Sequence, residues 1–223
     1  MGSIPVILWG EPSQKVYLYV HGKQSDKESA APFALLAQER GFQTVSFDLP
    51  AHGERRGEDV PCDIFHGMEN LAVMGGFVFE NWASVSLYGC SLGAFFSLHA
   101  FRGHPFANCL FQSPIVDMDY LIRQMFRWFG VTEDMLREQG QIATPIDTLS
   151  WPYLQYVRDH PIESWASPTS ILYGGRDDLQ SREVMEAFAR RFHAKLTVSE
   201  QSGHPFLEAA DRAVAEAWLR DNL

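Results

Sequence analysis

The chain has 223 residues, of which 46% are apolar and 21% charged, with 28 Asp and Glu against 18 Lys and Arg for a net charge of -10. That length is enough to enclose one core, and the composition excludes a disordered chain. The acidity, broken only by the short Arg55-Arg56 pair, excludes a phosphate backbone as partner, so no nucleic acid is expected.

No apolar run approaches the roughly 18 residues that cross a bilayer, and the opening MGSIPVILWG lacks a basic stretch followed by a small-residue cleavage site. Val6 stands where a myristoylation signal needs Ser or Thr. No membrane partner is expected. Cys62, Cys90 and Cys109 cannot all pair within the chain and lack metal-ligand spacing, which fits a reducing cytoplasm and predicts no metal and no cofactor.

In chain order, apolar runs rich in β-branched and aromatic residues predict strands over 4–9 and 16–20, then a helix from Pro32, in its first turn, to Arg40 before Gly41. A strand over 44–47 and a helix over 70–82 follow, the latter weakened by Gly75 and Gly76. Strands over 85–88 and 108–111 flank a helical AFFSLHAF segment, and later strands cover 169–173 and 196–199. The last helix is expected over 205–223, apolar at Leu207, Ala210, Val214, Ala217 and Trp218. Runs such as VYLYV suit strands covered on both faces, hence a parallel sheet. Alternation with helices makes this an α/β, doubly wound, mostly parallel fold of about seven strands.

Residues 116–165 break the alternation. They carry no strand signal and are too many for a plain loop, so two or three helices are expected over 120–129, from Thr132 to Gln139, and from Ser150 to His160. Their Met, Trp and Tyr content suits an ordinary helical subdomain and equally a cap with an apolar inner face. The division is therefore a core of residues 1–115 and 166–223 with a helical cap inserted at 116–165.

Gly89-Cys90-Ser91-Leu92-Gly93 lies between a predicted strand and a predicted helix. A sharp strand-to-helix turn needs small residues around a serine in a strained backbone position, with the helix N-terminus beneath it. Ser91 is thus the candidate nucleophile at the carboxyl edge of the sheet. Two histidines compete as base, because Gly-His-Pro-Phe occurs at 103–106 and again at 203–206. The helix after Ser91 carries the chain about 15 Å away before His104, whereas His204 follows a strand end at the ligand-binding edge. His204 is the expected base, and His99 a packed or surface residue. Asp177 and Asp178 both follow the strand over 169–173, and their diverging side chains allow only one to face His204.

These motifs resemble the α/β-hydrolase family over nearly the whole chain. Tyr19-Val20-His21-Gly22 is similar to its oxyanion-turn strand, and Asp48-Leu49-Pro50-Ala51-His52-Gly53 to its D-x-x-G-H-G loop, with Ala51 in place of the first Gly. Gly174-Gly175-Arg176-Asp177 is similar to its G-x-x-D acid turn, and Ser202-Gly203-His204 to its histidine loop. The resemblance implies an eight-stranded fold trimmed of one N-terminal strand and a cap after the sixth family strand. It favours Asp177 over Asp178 as the acid. It also implies an oxyanion hole from the backbone N–H groups of Lys23 and Leu92, with His21 supporting that turn. His52, Arg55, Arg56 and the Lys23 side chain are expected to be loop structure or solvated, and Cys90 to point away. The implied activity is a serine hydrolase acting on carboxylic esters or thioesters of small to medium apolar acyl groups. An amidase or peptidase, a carbon-carbon bond hydrolase, or a non-catalytic binder remain alternatives.

Overall fold

A computed structural model describes residues 4–204, 206 and 208–223. The chain opens with β1 (Val6–Trp9), β2 (Lys15–Val20), α1 (Ala31–Glu39), β3 (Gln43–Phe47), α2 (Ile64–Asn81), β4 (Ser84–Cys90), α3 (Leu92–Ala100) and β5 (Cys109–Gln112). An insert follows: α4 (Met118–Phe129), α5 (Glu133–Gln139), β6 (Gln141–Ala143), β7 (Thr148–Ser150) and α6 (Trp151–Asp159). The chain then returns through β8 (Thr169–Gly174), α7 (Arg182–Arg191), β9 (Lys195–Ser199) and α8 (Ala209–Asn222).

Seven strands form one sheet in the order β1-β3-β2-β4-β5-β8-β9, parallel throughout except for β1, which runs antiparallel to β3 at the edge. The strand alternation divides the core. Val16, Leu18 and Val20 of β2 face Leu71 of α2 and Phe95 and Phe96 of α3 on one side. Tyr17 and Tyr19 face Phe33 and Leu36 of α1 and Trp218 and Leu219 of α8 on the other. Both faces are therefore covered, which is why the strand sequences read as continuous apolar runs.

All seven expected sheet strands are present. The expectation of no strand in the insert is corrected by the β6–β7 hairpin, whose three-residue strands pair Gln141 with Ser150 and Ala143 with Thr148. Strands this short and polar leave no apolar run to read. The insert helices follow their caps as expected, with Thr132 accepting the Met135 N–H and Ser150 that of Tyr153. Two helix starts differ. Asp63 caps α2 by accepting the His66 N–H at 3.0 Å, so the helix starts at Ile64, six residues before the expected start. The last helix begins at Ala209, because Phe206 is left-handed (φ 50) and Glu208 extended; the expected start at Pro205 and the stripe member Leu207 lie outside the described residues. Helix α7, absent from the expectations, packs Met185 and Phe188 under β8 and β9 and is capped by Ser181.

Candidate active site

The residues singled out in the sequence gather at the carboxyl ends of the central strands. Ser91 follows β4 with φ 48 and ψ -114, a conformation that costs a non-glycine residue roughly 1–3 kcal/mol. Close packing enforces it. A Cβ at Gly93 would sit 2.4 Å from the His21 carbonyl oxygen, and one at Gly89 2.9 Å from the Ala94 Cα, so neither position admits a side chain. The Ser91 N–H donates to the Gln112 carbonyl at 3.1 Å, and its own carbonyl accepts from Ile115 at 3.2 Å. The turn is thus pinned to the end of β5 and the residues that follow it.

Ser91 Oγ donates to His204 Nε2 at 2.7 Å, and His204 Nδ1–H donates to Asp177 Oδ2 at 2.7 Å. The structure therefore brings together the three side chains singled out in the sequence, 113 residues apart at the extremes. The Asp177 side chain is fully buried and also receives the Leu179 and Gln180 N–H groups on Oδ1, at 2.8 and 3.2 Å. These bonds fix the carboxylate so that only one oxygen faces the imidazole. Asp178 is exposed and takes no part. The acid turn and the histidine loop are joined directly, as the Arg176 N–H donates to the Ser202 carbonyl at 3.0 Å and Ser202 Oγ lies 2.7 Å from Ser199 Oγ.

The turn after β2 lies against the serine. A Cβ on Gly22 would be 3.3 Å from Ser91 Cβ, and Lys23 and Leu92 both line the cavity that opens on Ser91. Two buried histidines hold this turn. His21 donates Nδ1–H to the Gly22 carbonyl at 2.7 Å and accepts the Leu49 N–H on Nε2 at 3.0 Å. His52 donates to the Pro50 carbonyl at 2.8 Å and accepts the Gln24 N–H at 3.0 Å. Burial lowers the His21 pKa to about 4, so its ring is neutral, as the accepting nitrogen requires. Below them Asp48, with a fully buried side chain, accepts from Lys27 Nζ at 2.9 Å and from the Glu54 N–H at 3.0 Å. Arg55 is buried against the Asp48 carbonyl and Asn70, so its charge serves the structure of the loop, whereas Arg56 is exposed.

Cys90 packs on the opposite face of the sheet among the aromatic cluster of Tyr17 and Phe33, and burial pushes its thiol up to about 12. The Lys23 side chain departs from expectation. Instead of standing solvated it pairs with Asp147 in the β6–β7 turn, tying the turn after β2 to the insert. Sequence reasoning also missed Gln180, fully buried, whose Oε1 accepts the Val116 and Asp117 N–H groups and so fastens the insert to the acid turn.

A profile of the alpha/beta hydrolase family matches residues 18–217. The chain belongs to that family. Among solved structures it is similar to Est1E from Butyrivibrio proteoclasticus with ferulic acid bound, at 16% identity and a TM-score of 0.81, covering 98% of this chain and 93% of that one. It is also similar to mouse alpha/beta hydrolase domain-containing protein 10, at 16% identity and TM-score 0.78, covering 98% and 92%. A monoacylglycerol lipase from Paleococcus ferrophilus aligns over 100% of both chains at 16% identity and TM-score 0.69. No curated protein matches the sequence. No described helix is long and apolar enough to cross a membrane, and the described residues hold no cluster of three or more His, Cys, Asp or Glu suited to a metal.

The cavity at Ser91 has a volume of about 100 Å³. Its walls are mostly apolar and come largely from the insert, including Met118, Ile122, Met125 and Leu149. A wider cavity of about 730 Å³ adjoins it, sharing Lys23, Cys62, Asp147 and Tyr153 and lined further by His52, Arg56 and Asp63.

Proposed function

We propose that the protein is a serine hydrolase of carboxylic esters or thioesters with small to medium acyl groups, working through Ser91, His204 and Asp177. The observation that carries this reading is the unbroken hydrogen-bond chain from Ser91 Oγ through His204 to the buried Asp177 carboxylate, with 2.7 Å at each link.

In the proposed reaction His204 Nε2 takes the Ser91 proton as Oγ attacks the acyl carbonyl, and the Asp177 carboxylate stabilises the imidazolium that forms. The backbone N–H groups of Lys23 and Leu92 receive the carbonyl oxygen as it becomes negative, an effect typically worth about 10²–10³ in rate per donor. His204 then protonates the leaving alcohol or thiol, and water, deprotonated by the same imidazole, releases the acid and restores Ser91. Residues 116–165 act as a cap. The inner cavity at Ser91, about 100 Å³, is narrow beside the outer one of about 730 Å³, which favours small to medium acyl groups over long ones. Esterases and a lipase among the structural neighbours favour esters over amides or carbon-carbon bonds. The three unpaired thiols suit a reducing cytoplasm.

A series of p-nitrophenyl esters and acyl thioesters of two to twelve carbons tests this. The expected result is turnover with kcat/KM highest at the short end and falling for long chains. Failure of the purified, folded protein to cleave any member would overturn the reading.

A further inference from the structure

Five buried side-chain polar atoms among the described residues have no hydrogen-bond partner: those of Thr44, Ser86, Ser113, Trp218 and the hydroxyl of Tyr153. Of these residues only Tyr153 lines the cavity that holds Ser91, and it lies in the wall shared with the outer cavity. A buried hydroxyl without a partner is destabilising, because it has given up its bonds to water and gained none in return. Nothing nearby relieves that cost. The polar neighbours Lys23 and Asp147 are committed to each other, the Thr148 N–H donates to Asp147 at 2.8 Å, Ser150 Oγ accepts the Tyr153 N–H, Ser91 Oγ is bonded to His204, and the rest of the inner wall is Cys62, aliphatic side chains and Met. The ring is held in place, since Tyr153 sits in the first turn of α6 beside buried Leu154, and Tyr156 one turn on reaches Met68 Sδ at 3.4 Å. Burial raises the phenol well above its ordinary pKa, so at neutral pH it is protonated and offers a donor.

We infer that Tyr153 is a specificity-determining donor, and that the preferred acyl group carries an acceptor oxygen which bonds to its hydroxyl. The substrate class is thus an ester of a short, otherwise apolar acid bearing an ether, keto or hydroxyl oxygen along its chain. This deepens the hydrolase reading and rests on it for the placement of the acyl group beside Ser91. A site with a donor waiting in an apolar wall discriminates against an acyl chain that leaves it unpaired far better than it discriminates by size.

The test walks one oxygen along a chain of constant length, using the p-nitrophenyl esters of pentanoic, ethoxyacetic and 3-methoxypropanoic acids with wild type and Tyr153→Phe. The ratio of wild-type to Tyr153→Phe kcat/KM cancels intrinsic differences in ester reactivity. It should be about ten- to a hundred-fold larger for one oxygen position than for pentanoate. Equal ratios across all three esters would overturn the inference while leaving the hydrolase reading intact. If no ester is turned over, that reading fails by itself. NMR titration of Ser91→Ala and Ser91→Ala/Tyr153→Phe with the same esters still decides the role of the donor, by whether tighter binding of an oxygen-bearing ester is lost with the hydroxyl. Free-protein stability is an independent readout. Removing an unpaired hydroxyl should leave Tm unchanged or raise it by about 2–4 °C, whereas a loss of several degrees would mean that the hydroxyl serves packing.

Discussion

The segments 103–106 and 203–206 are the same tetrapeptide, Gly-His-Pro-Phe, and the two histidines have nothing else in common. His104 is exposed on the connection from α3 to β5, its ring stacked on Phe79 at 5.6 Å between centroids and its N–H donating to the Phe101 carbonyl. The His204 side chain is only 11% exposed and bonds at both nitrogens, to Asp177 and Ser91. Phe106 and Phe206 are equally buried at 3%, yet they join the two separate cores on opposite faces of the sheet. The difference lies in topology. A parallel sheet gathers the segments that follow its strands at one edge and the segments that precede them at the other. A tetrapeptide cannot carry that information, whereas the strand before it does.

The largest way to break this contrast is mutation of the histidines themselves. His204→Ala should lower kcat on a p-nitrophenyl ester by about 10⁴–10⁶, as removal of a base that acts as a unit with its nucleophile does. His104→Ala should stay within a few fold. Comparable losses from both would refute the assignment. The same logic separates the adjacent carboxylates. Asp177→Asn should cost about 10⁴ in kcat through loss of the correct imidazole tautomer, while Asp178→Asn, at an exposed position, should cost less than about threefold. A reversed ranking in steady-state assays would transfer the role to Asp178.

Other histidines sharpen the point through pH. Burial lowers both His21 and His99 from an ordinary value of 6.5 to about 4. Between those values the unfolded chain binds protons that the folded chain refuses. Stability is therefore full above about pH 6.5 and falls as the pH drops towards 4, by roughly 3 kcal/mol for each histidine. Urea unfolding from pH 7.5 to 4 measures this, and His99→Met should remove about half of the slope. A flat profile would mean that these rings are solvated.

Much of this arrangement was legible in the sequence because its signals are local. Strands covered on both faces read as apolar runs, the turn at Ser91 announces itself by glycines that tolerate no Cβ, and Thr132 and Ser150 mark helix starts by their own side chains. What escaped was non-local or weak. The β6–β7 hairpin has strands of three residues, and the Lys23–Asp147 pair joins positions 124 apart that only the fold can bring together. Helix α7 carried a readable signal, Ser181 followed by apolar Val184, Met185 and Phe188, but five of its ten residues are charged and break up the apolar pattern. The departure at Ala51 was visible and has a consequence. It adopts φ 59, where the family motif has glycine, so Ala51→Gly should stabilise the protein by up to about 1 kcal/mol in thermal unfolding. A destabilised variant would show that the alanine side chain contributes packing greater than the strain.

Intact-mass spectrometry after treatment with a fluorophosphonate measures the nucleophile most directly. The account predicts one covalent adduct on the wild-type protein, mapped to the peptide containing Ser91 and absent from folded Ser91→Ala. A folded wild type that takes up no adduct, or a Ser91→Ala protein labelled equally well, would contradict it.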